Sequence, residues 1–286
     1  MPKKIKRDKR RILWYNVRYS NIYSEGYNLA RIYPLFSSSK GNSTYIGNKQ
    51  QGILIDDGIS FSRLKKALDI NEIPLEAVKA VFITHEHSDH TKGLSVLTKK
   101  LRVPVYAQAY TLDLLMGNGF INSEGCEMKD SEEICGMRIS CFPTSHDTKE
   151  SCGYKIEFED GKRCAVCTDL GYVSPDVEEN LLGLDAVLIE ANYDVEMLRN
   201  GRYEYYLKTR IFSKSGHLSN DDCGELARKL VESGTTKLIL GHLSQDNNTP
   251  EIAAETVVRH LEGYVRNSDY ILSVAPVETS GGFVAF

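Results

Sequence analysis

Within six residues, His85-Glu86-His87-Ser88-Asp89-His90 packs three imidazoles and two carboxylates. Imidazole nitrogen and carboxylate oxygen suit Zn²⁺, Mn²⁺ or Fe²⁺ rather than a soft thiolate site. An isolated histidine is most often a hydrogen-bonded core or surface residue, but that reading does not account for a run this dense. On one loop, His85 and His87 can face one ion while Asp89 and His90 face another. His146 and His242 supply further nitrogens, and Asp169 can bridge. The set is expected to hold two divalent ions, zinc or manganese by preference, with iron open. Two such ions lower the pKa of a shared water towards ~7, so metal-assisted hydrolysis is the chemistry to expect.

These residues need a scaffold that brings distant positions together. His85, His146, Asp169 and His242 each follow an apolar, strand-like run: Val78–Ile83, Met137–Phe142, Arg163–Cys167 and Lys237–Leu240. α/β proteins place their chemistry at strand ends along one rim. Further strands are expected at Ile32–Phe36, Thr44–Ile46, Gly52–Ile55, Val103–Ala107 and Ala186–Glu190, and helices at Phe61–Leu68 and Thr111–Met116. Ser219 with Asp222 resembles a capping box, and Thr249-Pro250 is a good helix start. His260 falls in an expected helix, Ala254–Val265, and is read as exposed. Cys164 and Cys167 lie three apart on a strand, so they point to opposite faces and read as buried small residues.

The chain of 286 residues fits one large α/β domain with an extension. No apolar run approaches the ~20 residues that span a bilayer. Seven cysteines without a secretion signal read as reduced thiols, which places the protein in the cytoplasm with no membrane partner. Residues 1–31 carry nine Lys/Arg and two Asp/Glu, a net +7 on a chain whose total is −4. They read as a basic N-terminal extension, suited to a polyanion or simply solvated, ahead of a domain over 32–286.

Thr84-His-Glu-His-Ser-Asp-His90 resembles the HxHxDH signature of the metallo-β-lactamase superfamily. Asp56 in Leu54-Ile-Asp-Asp-Gly58 matches its first motif, His146 the third, Asp169 the fourth and His242 the fifth. The resemblance implies an αββα sandwich with the metals at one sheet edge. It implies two metals where an Asp stands at the position of Asp89. Asp56 reads as an orienter of ligands rather than a ligand. Thr168–Tyr172, Glu190–Asp194 with Met197–Tyr203, Gly216–Asn220 and Gly241–Asn248 are similar to the YycJ/WalJ (VicX) branch, associated with 5′→3′ exonuclease action on DNA. The loop Ser37-Ser-Ser-Lys-Gly-Asn42 departs from that branch's Ser-Gly-Ser-Ser-Gly-Asn, and residues 1–31 have no counterpart in it. The 73 residues from Asp169 to His242 are too few for the inserted domain of β-CASP nucleases. The 23 from His146 to Asp169 are too few for the long arm of bacterial tRNase Z.

His217 favours phosphodiester chemistry. It precedes the Ser219 helix, and helix N-termini offer N–H groups to phosphate. Its setting is similar to a Ser-Gly-His-Ala-Ser stretch of β-CASP enzymes whose His contacts phosphate. The bland alternative is a His bonded to its own helix cap. His217, Asp89 and Asp169 are the expected catalytic groups. Arg199–Lys214 mixes Arg199, Arg202, Lys208, Arg210 and Lys214 with Tyr203, Tyr205, Tyr206 and Phe212, which suits a nucleic-acid strand by charge and stacking. A solvated face is its plain alternative. Ser39, Lys40, Asn42, Arg202, Tyr203, Lys208, Arg210 and Ser219 are the expected substrate contacts. The function to expect is a DNA exonuclease. RNA, a small phosphodiester, or a thioester or lactone would use the same centre. A non-catalytic module has no chemical reason to keep seven ligands.

Overall fold

A computed structural model of the chain describes residues 30–286. The basic extension expected over residues 1–31 lies outside them, apart from its last two residues. The first half runs β1 (Arg31–Phe36), β2 (Ser43–Gly47), β3 (Gly52–Ile55), α1 (Phe61–Ile70), β4 (Val78–Phe82), α2 (Ser88–Thr91), α3 (Leu94–Leu101), β5 (Val105–Ala107), α4 (Ala109–Gly117) and β6 (Gly125–Glu127). The second half runs β7 (Ser131–Ile134), β8 (Met137–Pro143), β9 (Cys152–Phe158), β10 (Arg163–Cys167), α5 (Pro175–Leu181), β11 (Ala186–Glu190), α6 (Val195–Asn200), α7 (Tyr205–Ile211), α8 (Asn220–Glu232), β12 (Lys237–Gly241), α9 (Pro250–His260) and β13 (Ile271–Val274). A last short strand, β14 (Val284–Ala285), returns to pair with β1.

The strands form two seven-stranded sheets, ordered β14-β1-β2-β3-β4-β5-β6 and β7-β8-β9-β10-β11-β12-β13. Their pairing is the same: three antiparallel pairs, then three parallel ones. Strand alternation builds the layers. Ile53 and Ile55 of β3 meet Ile156 and Val166 between the sheets, while Leu54 faces outward among Leu64, Leu68 and Leu97 of α1 and α3. The outer face of the second sheet lies under α5, α8 and α9 through Val177, Leu226, Leu230 and Val257. β3, β10 and β11 are covered on both faces, which is why their sequences read as near-continuous apolar runs. The result is the expected αββα sandwich. Cys164 points between the sheets and Cys167 under the outer helices.

Several boundaries differ from those the sequence suggests. β5 begins at Val105 rather than Val103 because Pro104 has no N–H to offer; its carbonyl instead accepts Val81 N–H at 3.0 Å. α9 starts at Pro250 behind its Thr249 cap and stops at His260, short of Val265. His260 is half-buried, not exposed. Its ring lies over Gly224 of α8, where a Cβ would meet the ring Cδ2 at 2.4 Å. β7 and β9 are strands beyond those expected: β7 is polar at three of its four positions, whereas β9 alternates Cys152, Tyr154, Ile156 and Phe158 with Gly153, Lys155 and Glu157.

Candidate metal centre

The centre sits where strand ends of both sheets meet. β4 runs out at Phe82, and the following turn and α2 carry His85, His87, Asp89 and His90. The tight path of this loop needs Gly58: a Cβ there would lie 1.5 Å from the Asp89 carbonyl oxygen. Asn42 N–H donates to that same carbonyl at 2.8 Å. From the second sheet come His146 after β8, Asp169 after β10, Glu190 at the end of β11 and His242 after β12. Asp56, Asp169 and His242 hold φ of 61°, 59° and 53°. A left-handed backbone costs roughly 1–2 kcal/mol for a residue with a Cβ. That it recurs at three strand ends of one rim marks a site whose side-chain directions are over-determined.

The donor atoms fall into groups. His85, His87 and His146 converge within 4.8 Å, as do Asp89, His90 and His242. Asp169 lies among both: Oδ2 is 3.4 Å from His90 Nε2, and Oδ1 is 3.8 Å from His146 Nε2 and 3.1 Å from His242 Nδ1. Two further groupings overlap these: His85, His90 and Asp169, and Asp169, Glu190, His217 and His242. Several of the atoms have no hydrogen-bond partner although they are buried: His85 Nε2, both nitrogens of His242, and Asp169 Oδ2. Asp169 and His242 are close enough to attract yet misaligned for a hydrogen bond. Buried polar atoms without partners are costly, and a cation at their convergence would satisfy them.

The electrostatics agree. Burial and the neighbouring His90 ring hold His85 well below the usual imidazole range, in the neutral form that ligates. Burial would also strip the proton from His242, but the Asp169 and Glu190 carboxylates outweigh it and push the ring up to about 10. His90 is likewise raised, against burial, by Asp56, Asp169 and Asp89. So dense a set of carboxylates calls for positive charge, which protons or divalent cations can supply. The donor set, its convergence and its missing partners all fit divalent metal.

Outside the ligand set, orienting contacts reach His90 and His146. Asp56 Oδ1 accepts Thr84 N–H at 2.9 Å, and Oδ2 holds His90 Nδ1 at 2.8 Å. His146 Nδ1 donates to the Gly216 carbonyl at 3.0 Å, freeing Nε2 for the centre. Ser37 Oγ accepts His242 N–H at 2.7 Å. The ring contacts of His90 and His146 fix which imidazole nitrogen faces the metal, while Ser37 holds only the backbone of His242.

Glu190 is the residue that sequence reasoning passed over. It is fully buried, and its Oε1 lies 2.8 Å from His217 Nδ1 and 3.1 Å from His242 Nδ1. Its Oε2 accepts the N–H groups of Leu170 and Leu218 at 3.0 and 3.1 Å. Burial opposes its charge, but the His217 and His242 imidazoles hold the carboxyl down to about 2. Its signal was available: it closes an apolar strand at the same rim as Asp169 and His242. Asp147 was also missed. Its Oδ1 lies 3.3 Å from His146 Nε2, and its other oxygen pairs with Arg210.

The other expected site residues are placed unevenly. His217 stands at the centre, its ring centroid 5.1 Å from that of His146 and 5.3 Å from that of His242. The reason differs from the one expected. The first turn of α8 is not open to an anion: Asn220 N–H donates to Tyr193 O, Asp222 N–H to Ser219 Oγ, and Asp221 and Asp222 carry negative charge there. Glu190 is what holds His217 in place. Ser219 is 3% exposed, its hydroxyl engaged in capping α8, so it is not a substrate contact. Asn42 is buried against Asp89 Oδ2 (3.2 Å) and His90 Nε2 (3.1 Å), positioning ligands rather than facing solvent. Ser39 and Lys40 are exposed at the loop tip. Arg202 is exposed, Tyr203 OH donates to Asp246 at 2.9 Å, and Lys208 Nζ donates to Arg199 O at 2.9 Å.

Residues 51–243 match the model of the beta-lactamase superfamily domain. The chain belongs to that superfamily. It is 36% identical over 236 residues to the exodeoxyribonuclease YycJ of Bacillus anthracis, covering 80% of this chain and 88% of that protein. It is 37% identical over 234 residues to the exodeoxyribonuclease WalJ of Streptococcus pneumoniae, covering 79% and 86%. These two relatives place it in the YycJ/WalJ branch. The metallo-β-lactamase-fold protein YhfI of Bacillus subtilis superposes with a TM-score of 0.68 at 13% identity, covering 91% of this chain and all of that one. The chain is therefore a metal-dependent hydrolase of the metallo-β-lactamase fold. Among the described residues no helix is long and apolar enough to cross a membrane.

Proposed function

We propose that this protein is a DNA exonuclease whose centre holds two divalent ions, zinc or manganese, and hydrolyses phosphodiesters. The names of its relatives point to nucleic acid, and one observation carries the reading to this chain: His217, anchored by Glu190, adds an imidazole beside both ligand groups. His85, His87 and His146 would hold one ion, and Asp89, His90 and His242 the other, with Asp169 between them. Bound there, the ions supply Lewis acidity and a water that is nucleophilic at neutral pH. Asp56 and Asn42 keep His90 and Asp89 aimed. Glu190 accepts from His217 Nδ1, leaving Nε2 as the ring nitrogen that can donate to a phosphoryl oxygen as charge builds there. A thioester or lactone centre builds charge on one carbonyl oxygen, whereas a phosphoryl group carries it on several, so a donor beyond the ions suits the phosphodiester.

Arg210, Lys208, Arg202, Tyr203, Ser39 and Lys40 would meet the rest of a strand. The net +7 of residues 1–31 would draw the same polyanion. Seven free cysteines suit the cytoplasm.

The test is the full chain, reconstituted with zinc or manganese, against DNA and RNA labelled at the 5′ or the 3′ end, with a chromogenic thioester beside them. Mononucleotide release from DNA is expected, starting at the 5′ end. Turnover of the thioester with no cleavage of either polynucleotide would overturn the proposal.

A further inference from the structure

α7 presents a face that no described residue covers. Tyr205, Lys208, Thr209 and Phe212 follow helical spacing and, with Arg199 and Ser213, line an open groove of about 580 Å³. Tyr205 is 83% exposed, Tyr206 74% and Phe212 42%. Phe212 sets its ring edge against Tyr193 at 5.3 Å between centroids, which fixes the ring. Large aromatics exposed in a row are not explained by the core.

Charge and position say what the face could take. Residues 195–214 hold five Lys/Arg and two Asp/Glu, in a chain whose net charge is −4. The same helix reaches the metal centre: Arg210 pairs with Asp147, which lies 3.3 Å from His146 Nε2. Beyond it the chain turns back to His217, whose N–H donates to the Ile211 carbonyl at 3.1 Å. Tyr206, one turn before Arg210, projects roughly 100° round the helix from Tyr205, between the Arg210 side and the groove. Flat rings flanked by cations and leading from a hydrolytic centre suit nucleobases that are out of the duplex, because a paired, stacked base has no free face to offer.

On the basis of the phosphodiesterase reading, we propose that α7 is a stacking platform for an unpaired nucleic-acid strand, with bases on Tyr206, Tyr205 and Phe212 and phosphates beside Lys208 and Arg199, so that single-stranded ends are the preferred substrate. The strand leaves the centre past Arg210 and turns round the helix into the groove.

The experiment uses the metal-loaded full chain and the double variant Tyr205→Ala/Phe212→Leu, which keeps an apolar contact to Tyr193. Probes are a single-stranded oligo-deoxythymidine of about twenty nucleotides, a blunt duplex of equal length and a thymidine dinucleotide. The double variant should bind and process the single strand ~5–100-fold less well, with the loss shrinking as the strand shortens to the dinucleotide. Tyr205→Trp should preserve or tighten binding. If the double variant binds the single strand within twofold of wild type and still cleaves it, the platform is overturned and the nuclease reading stands. A wild-type dimer that the double variant splits, with strand affinity unchanged, would give the groove to a second copy of the chain and also overturn it. Wild-type protein that cleaves no polynucleotide would remove the phosphodiesterase reading, and this inference with it.

Discussion

The two sheets share one pairing pattern but supply the centre in opposite ways. In each, the fourth strand ends on an aspartate with a left-handed backbone: Asp56 after β3, φ 61°, and Asp169 after β10, φ 59°. Asp56 has both oxygens engaged, by Thr84 and by His90 Nδ1, and so serves as an orienter. Asp169 Oδ2 has no hydrogen-bond partner, and the carboxylate faces His90, His146 and His242. The backbone placement is equivalent; the chemistry differs because of what stands beside each residue. The first sheet then delivers four candidate ligands on one loop. The second delivers His146, Asp169, Glu190 and His242 singly, from four strand ends. The same backbone turn can therefore hold a ligand or a ligand's support, and its neighbours' spare hydrogen-bonding capacity decides which.

The largest expected effect sharpens this contrast. Asp169→Ala should lower metal occupancy in elemental analysis and abolish hydrolysis, because two ligand groups lose their shared carboxylate. Full activity with a single ion bound would break the two-metal arrangement.

His217→Ala comes next. It should keep its metals and its melting temperature but lose about 10²–10³ in kcat on DNA, the usual cost of one transition-state donor. His242→Ala, by contrast, should lose metal along with rate. Metal content and rate measured on the same preparations separate the two. Loss of metal from His217→Ala would make it a ligand, with Glu190 as its support.

The smallest effect belongs to Asp56→Asn. Removing the support of a metal-bound His typically costs 10–100-fold in metal affinity or activity. Competition with a chromophoric chelator should show weakened but measurable binding. A loss as complete as that of Asp169→Ala would erase the distinction between the two aspartates.

The metal-binding loop is legible in the chain alone, because six adjacent residues cannot stray far from one another and their types allow little besides metal. The layered fold is legible there too, since apolar runs such as Gly52–Ile55 and Ala186–Glu190 must be covered on both faces. The sequence placed His146, Asp169 and His242 at strand ends. How they group depends on the folded chain, because convergence of residues 73 apart in sequence rests on sheet order. Only the folded chain showed Glu190 at work: a lone carboxylate closing a strand carries no local pattern, and its role lies in the two imidazoles brought to it from residues 217 and 242. It likewise moved Ser219 and Asn42 from expected substrate contacts to internal partners. Burial and hydrogen-bond saturation, which settle whether a polar side chain faces a ligand or its own fold, belong to the packed chain.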